Sequence, residues 1–180
     1  MARNIEIKAR IASVDALLPR ARALADGPEQ VLEQDDTFFV CAHGRLKLRE
    51  FADGRAELIH YQRADTAGPK LSDYVRVPVP VPDSTALREA LARSNGVLGR
   101  VRKTRWLLLA GQTRIHLDRV EGLGDFLELE VVLHDEQREP DGVAIAEALL
   151  AQLGVQGAQR LAGAYLDLLA ASSAGIACAR

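Results

Sequence analysis

The chain has 180 residues, 48% of them hydrophobic and 27% charged, with a formal net charge of −2 at pH 7. It is long enough to bury a sizeable core and too nearly neutral for a general nucleic-acid or anionic-membrane binder. No apolar run approaches a membrane span, the strand pattern starts too early for a signal peptide, and Cys41 and Cys178 have no ligand spacing, so a reducing, cytoplasmic setting is expected.

Asn4, Glu6, Lys8 and Arg10 fall on one parity, and Ile5, Ile7, Ala9 and Ile11 on the other. Side chains alternate faces along a strand, so the chain opens on a strand with one charged and one apolar face. Ser13 caps a predicted helix through Val14, Leu17, Leu18, Ala21 and Leu24, stopped at Gly27-Pro28. Residues 29–40 read as a strand. Arg45 to Phe51 alternates strictly, Asp53-Gly54 is a hairpin signal, and Glu57 to Arg63 is its antiparallel partner. A polar loop is predicted over 64–73, then a short strand over 74–79 closed by Pro78, Pro80 and Pro82. Asp83 or Ser84 caps a helix that Asn95-Gly96 ends. Strands are predicted over 97–109, 112–120 and 125–133, separated by Gly111 and by Glu121-Gly122-Leu123-Gly124. Helices are expected over 143–153, begun by Pro140 and ended by Gly154, and over 161–170, with 171–180 fraying. The sum is an α+β chain of about eight mostly antiparallel strands with several helices, expected to form one domain over residues 1–180.

The charged faces carry the chemistry. Arg45, Lys47 and Arg49 share a face, as do Glu57, Ile59, Tyr61 and Arg63. Lys103 and Arg105 lie together, and so do Arg114, His116 and Asp118, and Glu128 and Glu130. Each alone reads as a solvated strand face. As a set, they group cations on some strands and carboxylates on others, and closing such a sheet into a barrel removes its exposed edges. A cavity holding Lys8, Lys47, Arg49, Arg63, Lys103 and Arg105 requires anions, because buried unpaired charge is costly. The same reasoning predicts that Arg49→Ala or Arg105→Ala leaves the empty protein no less stable. Glu6, Asp118, Glu128 and Glu130 are hard oxygen ligands that suit Mg²⁺ or Mn²⁺, which bridge to phosphate. Many cations with a few carboxylates describe a triphosphate site. There is no Walker loop, Gly122-Leu123-Gly124 is too short for a dinucleotide fingerprint, and His43, His60, His116 and His134 lack zinc spacing. Aromatic residues make up 4% of the chain, so no adenine-stacking platform is evident, which favours tripolyphosphate or another small triphosphate as substrate.

These motifs, in this order, resemble the CYTH superfamily. Asn4-x-Glu6-x-Lys8 is similar to its Glu-x-Glu-x-Lys opening strand, and Gly44-Arg45-Leu46-Lys47-Leu48-Arg49 to its basic strand. Tyr61-Gln62-Arg63, Val101-Arg102-Lys103-Thr104-Arg105 and Phe126-Leu127-Glu128-Leu129-Glu130 resemble later family strands. His116-Leu117-Asp118, followed by Glu121-Gly122-Leu123-Gly124-Asp125-Phe126, is most similar to the branch labelled class IV adenylyl cyclase. The resemblance implies an eight-stranded antiparallel closed β-barrel, a triphosphate tunnel with strands over about 3–133, flanked by helices including C-terminal ones over about 140–170. It implies phosphate contacts from Lys8, Lys47, Arg49, Arg63, Lys103 and Arg105, with Arg114 a weaker candidate. Metal would be held by Glu6, Asp118, Glu128 and Glu130, with Mg²⁺ or Mn²⁺ as cofactor and Glu6 and Lys8 as catalytic residues. Asn4 departs from the family's first glutamate and leaves the metal set one negative charge short. The expected activity is metal-dependent triphosphate processing, either ATP to cyclic AMP and pyrophosphate or hydrolysis of tripolyphosphate or thiamine triphosphate. A non-catalytic polyphosphate- or nucleotide-binding module is the alternative that Asn4 motivates. The expected partner is a small-molecule triphosphate rather than nucleic acid or membrane, with a homodimer left open.

Overall fold

A computed structural model describes residues 2–63, 69–155 and 160–177. Its strands are β1 (Ala2–Arg10), β2 (Gln30–Phe39), β3 (Arg45–Phe51), β4 (Ala56–Arg63), β5 (Lys70–Val79), β6 (Val97–Ala110), β7 (Thr113–Val120) and β8 (Gly124–Val132). All neighbours are antiparallel, and they close into a barrel in the order β1-β5-β4-β3-β2-β6-β7-β8. Four helices flank it: α1 (Val14–Leu24), α2 (Ser84–Asn95), α3 (Glu139–Leu153) and α4 (Tyr165–Ala177).

The strand alternation is used inside out. The apolar parity of β1, β7 and β8, including Ile5, Ile7, Ile115, Leu117, Leu127, Leu129 and Val131, faces outward under α1 and α3. Each fully buried side chain of this size contributes about 1.5–3 kcal/mol, so the main apolar core lies between barrel and helices. That leaves the other parity, with the charges, to line the interior. Gly142 permits the close seat of α3: a Cβ there would stand 2.6 Å from Ile5 Cγ1 and 2.7 Å from Leu133 Cδ2. Ser13 caps α1 as expected, its Oγ accepting from the Asp15 backbone N–H at 3.1 Å. A smaller cluster of Phe39, Leu48 and Ala56 packs against Leu87 and Leu91 of α2.

One barrel end is plugged. Phe38, Val101, Val120 and Phe126 meet Tyr165 there, and Leu161, Leu166 and Leu169 pack behind them. Gly99 makes room for this plug, since a Cβ would approach Leu166 Cδ1 to 2.6 Å. None of the described helices is long and apolar enough to cross a membrane.

Two boundaries differ from expectation. β5 begins at Lys70, where the sequence suggests a polar loop, because it is paired on both sides, Ser72 to Asn4 of β1 and to Arg63 of β4. Tertiary pairing overrides the weak local preference of Leu71-Ser72-Asp73. The last helix starts at Tyr165 rather than 161, since the Leu161 N–H donates to the Lys8 carbonyl at 2.8 Å and Arg160 bridges Ala9. It then continues through the stretch expected to fray, whose alanines are strong helix formers. Cys178 lies outside the described residues.

Candidate active site

The barrel encloses a cavity of about 280 Å³. Asn4, Glu6 and Lys8 line it from β1, Lys47 and Arg49 from β3, Lys103 and Arg105 from β6, Arg114 and His116 from β7, and Glu128 and Glu130 from β8. The shared parity read from each strand therefore converges on one space. Arg63 pairs with Ser72 through its backbone, and its side chain lies outside the described residues.

Two charge clusters occupy different sectors of the ring. On the β2–β3–β6 sector, Asp36 is 1% exposed and anchors three cations. Its carboxylate accepts from Lys47 Nζ at 2.9 Å, from Arg49 Nε and Nη2 at 2.7 and 2.8 Å, and from Lys103 Nζ at 3.2 Å. Burial alone would push the Asp36 carboxyl up, but the charges of Arg49, Lys103 and Lys47 outweigh it and hold it well below the usual carboxylate range. The lysines move the other way. Burial, reinforced by the Arg49 charge, depresses Lys47 to about 8, and burial with Arg49 and Arg105 depresses Lys103 to about 7 despite Asp36. One carboxylate among three cations leaves this wall positive whenever the lysines are protonated.

The β1–β7–β8 sector is acidic. The ladder sets Glu6 opposite Glu130 and Lys8 opposite Glu128. Lys8 Nζ pairs with Glu128 Oε1 at 3.2 Å and stands 3.8 Å from the centroid of the Tyr165 ring. Arg105 joins the sectors, donating to both oxygens of Asp118 at 2.7 and 2.6 Å and to Glu128 Oε2 at 2.8 Å. Arg114 reaches Glu130 Oε2 at 3.3 Å. Burial opposes ionisation of both glutamates, yet their neighbours prevail: Lys8, the His116 ring and Arg105 keep Glu128 well below its ordinary value, and His116, Arg105 and Arg114 keep Glu130 lowered. Both therefore remain carboxylates at neutral pH.

His116, Glu128 and Glu130 each bring a donor atom to within 4.8 Å of the others, a group able to hold a metal ion. Two further observations fit a cation there. Glu6 and Glu130 are direct cross-strand neighbours that line the cavity together, so two carboxylates converge there. Asn4 Oδ1 and His116 Nδ1 are buried without hydrogen-bond partners among the described residues.

Residues 2–165 match the family model of the CYTH domain. The chain belongs to the CYTH domain family. It is 27% identical over 174 residues to adenylate cyclase CyaB of Aeromonas hydrophila, covering 92% of this chain and 87% of that one. The fold is similar to PH1012 of Pyrococcus horikoshii, with a TM-score of 0.78, 23% identity and coverage of 92% and 99% of the two chains. It is also similar to a Hippeastrum protein proposed to be an adenylyl cyclase, whose dominant activity is triphosphatase; the TM-score is 0.67, the identity 17% and the coverage 94% and 96%.

As a member of the CYTH family, the chain departs from its sequence-based site in three respects. Asp118, expected as a metal ligand, is 0% exposed and sits behind Arg105, its Oδ2 also accepting from the Tyr165 hydroxyl at 2.8 Å. Its two oxygens are taken up by Arg105 and the Tyr165 hydroxyl, and burial together with the Asp118 and Glu128 charges raises that hydroxyl well above its ordinary value, keeping it a donor. Arg49 and Arg105 are not waiting unpaired for an anion, so their removal leaves Asp36, or Asp118 and Glu128, as under-compensated buried charges. Stability of the empty protein should fall in both alanine variants, contrary to the sequence-based expectation. The cavity is also richer in aromatics than composition suggests, since Phe38, Phe51, Tyr61, Tyr74 and Tyr165 all line it. Few aromatics in a chain says nothing about where they gather.

Proposed function

We propose that this CYTH protein is a divalent-metal-dependent enzyme that binds a triphosphate along the tunnel and cleaves one of its phosphoanhydride bonds. The observation that carries this reading is the pairing of a positive wall around Asp36 with an acidic, metal-competent wall in one cavity. Lys47, Arg49 and Lys103 would exchange part of their grip on Asp36 for phosphate oxygens. Arg105, fixed by Asp118, and Lys8, fixed by Glu128 and the Tyr165 ring, would hold the phosphates near the acidic side. Glu128 and Glu130, with Glu6 close by, would hold a divalent ion, which when bound would supply charge neutralisation for the phosphates and the nucleophile. Glu6 and Lys8, on one face of β1, are the proposed proton-handling pair.

In a cyclase, the ribose 3′-hydroxyl of ATP attacks the α-phosphorus and pyrophosphate leaves. In a triphosphatase, water attacks the terminal phosphorus, the bond to its bridging oxygen breaks, and the remaining diphosphate leaves as orthophosphate forms. Positioning and charge neutralisation serve either, so the same walls support both. The aromatic lining favours a nucleotide more than the sequence does: Arg55 lies over Phe51 at 4.9 Å and Arg76 over Tyr74 at 5.5 Å, rings that a base could share.

Incubation with ATP, tripolyphosphate and thiamine triphosphate in parallel, with Mg²⁺, Mn²⁺ or chelator, tests the reading. Metal-dependent turnover of at least one is expected; cyclic AMP with pyrophosphate identifies a cyclase, and orthophosphate with the matching diphosphate identifies a triphosphatase. Binding without turnover of any substrate would make this a binding module, the reading that Asn4 favours.

A second expectation concerns protons. Lys103 at about 7 and Lys47 at about 8 are partly neutral in the empty tunnel above neutral pH. A polyanion favours their charged forms, so binding at pH 8 should take up protons, and affinity should fall as pH rises from about 7 toward the ordinary lysine range near 10.4. Calorimetry in buffers of different ionisation enthalpy reads the uptake directly. Proton release, or affinity that rises with pH, would show that neither lysine meets phosphate.

A further inference from the structure

The buried ring of His116 is the one feature of the acidic wall that an all-oxygen metal site does not explain. The ring projects from β7 into the cavity, is 3% exposed, and its Nδ1 has no hydrogen-bond partner among the described residues. Nδ1 lies 3.7 Å from Glu128 Oε2 and 3.8 Å from Glu130 Oε1, too far for hydrogen bonds to either. Leaving a buried polar nitrogen unsatisfied is costly, and such exceptions usually mark an ion or a function.

The separations suit a shared ion. Donors about 2.2 Å from one metal stand about 3.1 Å apart at a right angle and about 4.4 Å apart in line. The 3.7 and 3.8 Å spacings fall between these limits, so modest side-chain adjustment closes the site. The remaining valences agree. Glu128 Oε2 accepts only one short bond from Arg105, and Glu130 Oε2 rather than Oε1 faces Arg114, which leaves Oε1 beside the imidazole.

The geometry points to His116 Nδ1 as a direct metal ligand, completing with Glu128 and Glu130 a mixed nitrogen–oxygen site that prefers Mn²⁺ or a later transition ion to Mg²⁺. Mg²⁺ demands hard oxygen donors, whereas imidazole suits the transition series. Asn4 strengthens the preference from the other side, since an amide in place of a carboxylate removes hard anionic charge that Mg²⁺ would use. This inference rests on the metal-dependent reading above and names the class of metal that the same site takes.

The test uses the intact chain loaded with Mn²⁺ and no nucleotide. Electron spin-echo spectroscopy reports directly coordinated nitrogen through its ¹⁴N modulation, independently of turnover. The parent protein should show an imidazole-type coupling, and ¹⁵N labelling of histidine should shift it. His116→Gln should abolish the coupling and weaken Mn²⁺ binding roughly tenfold or more in calorimetry, while changing Mg²⁺ binding by less than about threefold. Bound Mn²⁺ with oxygen ligands only in the parent overturns the inference, whatever the fate of the variant, and leaves the proposed function standing if turnover persists. Equal losses of Mn²⁺ and Mg²⁺ in a folded variant overturn the metal preference. No metal binding and no turnover would overturn the functional reading itself, and this ligand with it.

Discussion

Asp36→Ala is expected to lower the stability of the empty protein by about 3–5 kcal/mol, the cost of breaking a buried ionic group by removing one partner. Among the described residues Asp36 is the carboxylate that pairs with Lys47, Arg49 and Lys103 together, and without it three cations face one another in a cavity. The size of the loss should depend on pH. Lys47 and Lys103 can shed their protons, but Arg49 cannot. Their folded pKa values already lie below those of the unfolded chain and would fall further in the variant. A lysine whose folded pKa is depressed costs stability where the unfolded chain holds the proton and the folded one must give it up or bear it unpaired. The penalty is therefore full below the folded pKa and eases as pH rises toward the unfolded value near 10.4. Denaturant midpoints of parent and variant should converge between about pH 6 and pH 9. Tripolyphosphate should restore more stability to the variant than to the parent, since it supplies the missing anion. Equal midpoints at pH 6 would mean that Asp36 does not organise this wall.

Glu130→Gln carries the largest expected loss of activity. Its carboxylate stays ionised through His116, Arg105 and Arg114, faces Glu6 across the ladder and belongs to the metal-competent group. An amide of the same size keeps the packing and removes the charge. Residues that merely orient metal ligands cost about 10–100-fold when altered, so a ligand itself should cost roughly 100-fold or more in turnover. Stability should change little, because the lost contact with Arg114 is offset by removing a carboxylate that faces Glu6 across the ladder. Added metal should recover part of the turnover if affinity alone is lost. Full turnover in Glu130→Gln at ordinary metal concentration would remove this residue from the metal site.

The barrel was legible in the sequence because charge and alternation coincide. From Asn4 to Arg10 of β1 and from Arg45 to Arg49 of β3, polar or charged residues alternate with apolar ones, so both faces announce themselves. The hairpin signal Asp53-Gly54 then fixes the β3–β4 pairing. Asp36 was not legible for a matching reason. Glu33-Gln34-Asp35-Asp36 places polar residues on both parities, and only the fold reveals that Asp35 turns outward to Arg100 and Arg102 while Asp36 turns inward. His116 was visible on its charged face but was judged by spacing along the chain. Its partners stand on the neighbouring strand, where register rather than sequence distance sets the geometry. Tyr165 gave no signal, because its role depends on how the chain beyond β8 returns across β1.

That return has a consequence for when the protein becomes chemically competent. Lys8 is synthesised before Glu128, which follows it at an interval of roughly 6–24 s at typical synthesis rates of about 5–20 residues per second. Through that interval β1 can find β5 but not β8, so one of its edges stays open. Tyr165, which lies against the Lys8 ammonium and bonds Asp118, arrives later still. The pocket is thus sealed when the segment over residues 160–165 returns across β1. A polypeptide that ends before β8 already carries the cations of the Asp36 wall, yet it lacks Glu128 and Glu130 and cannot complete the acidic wall against which they stand.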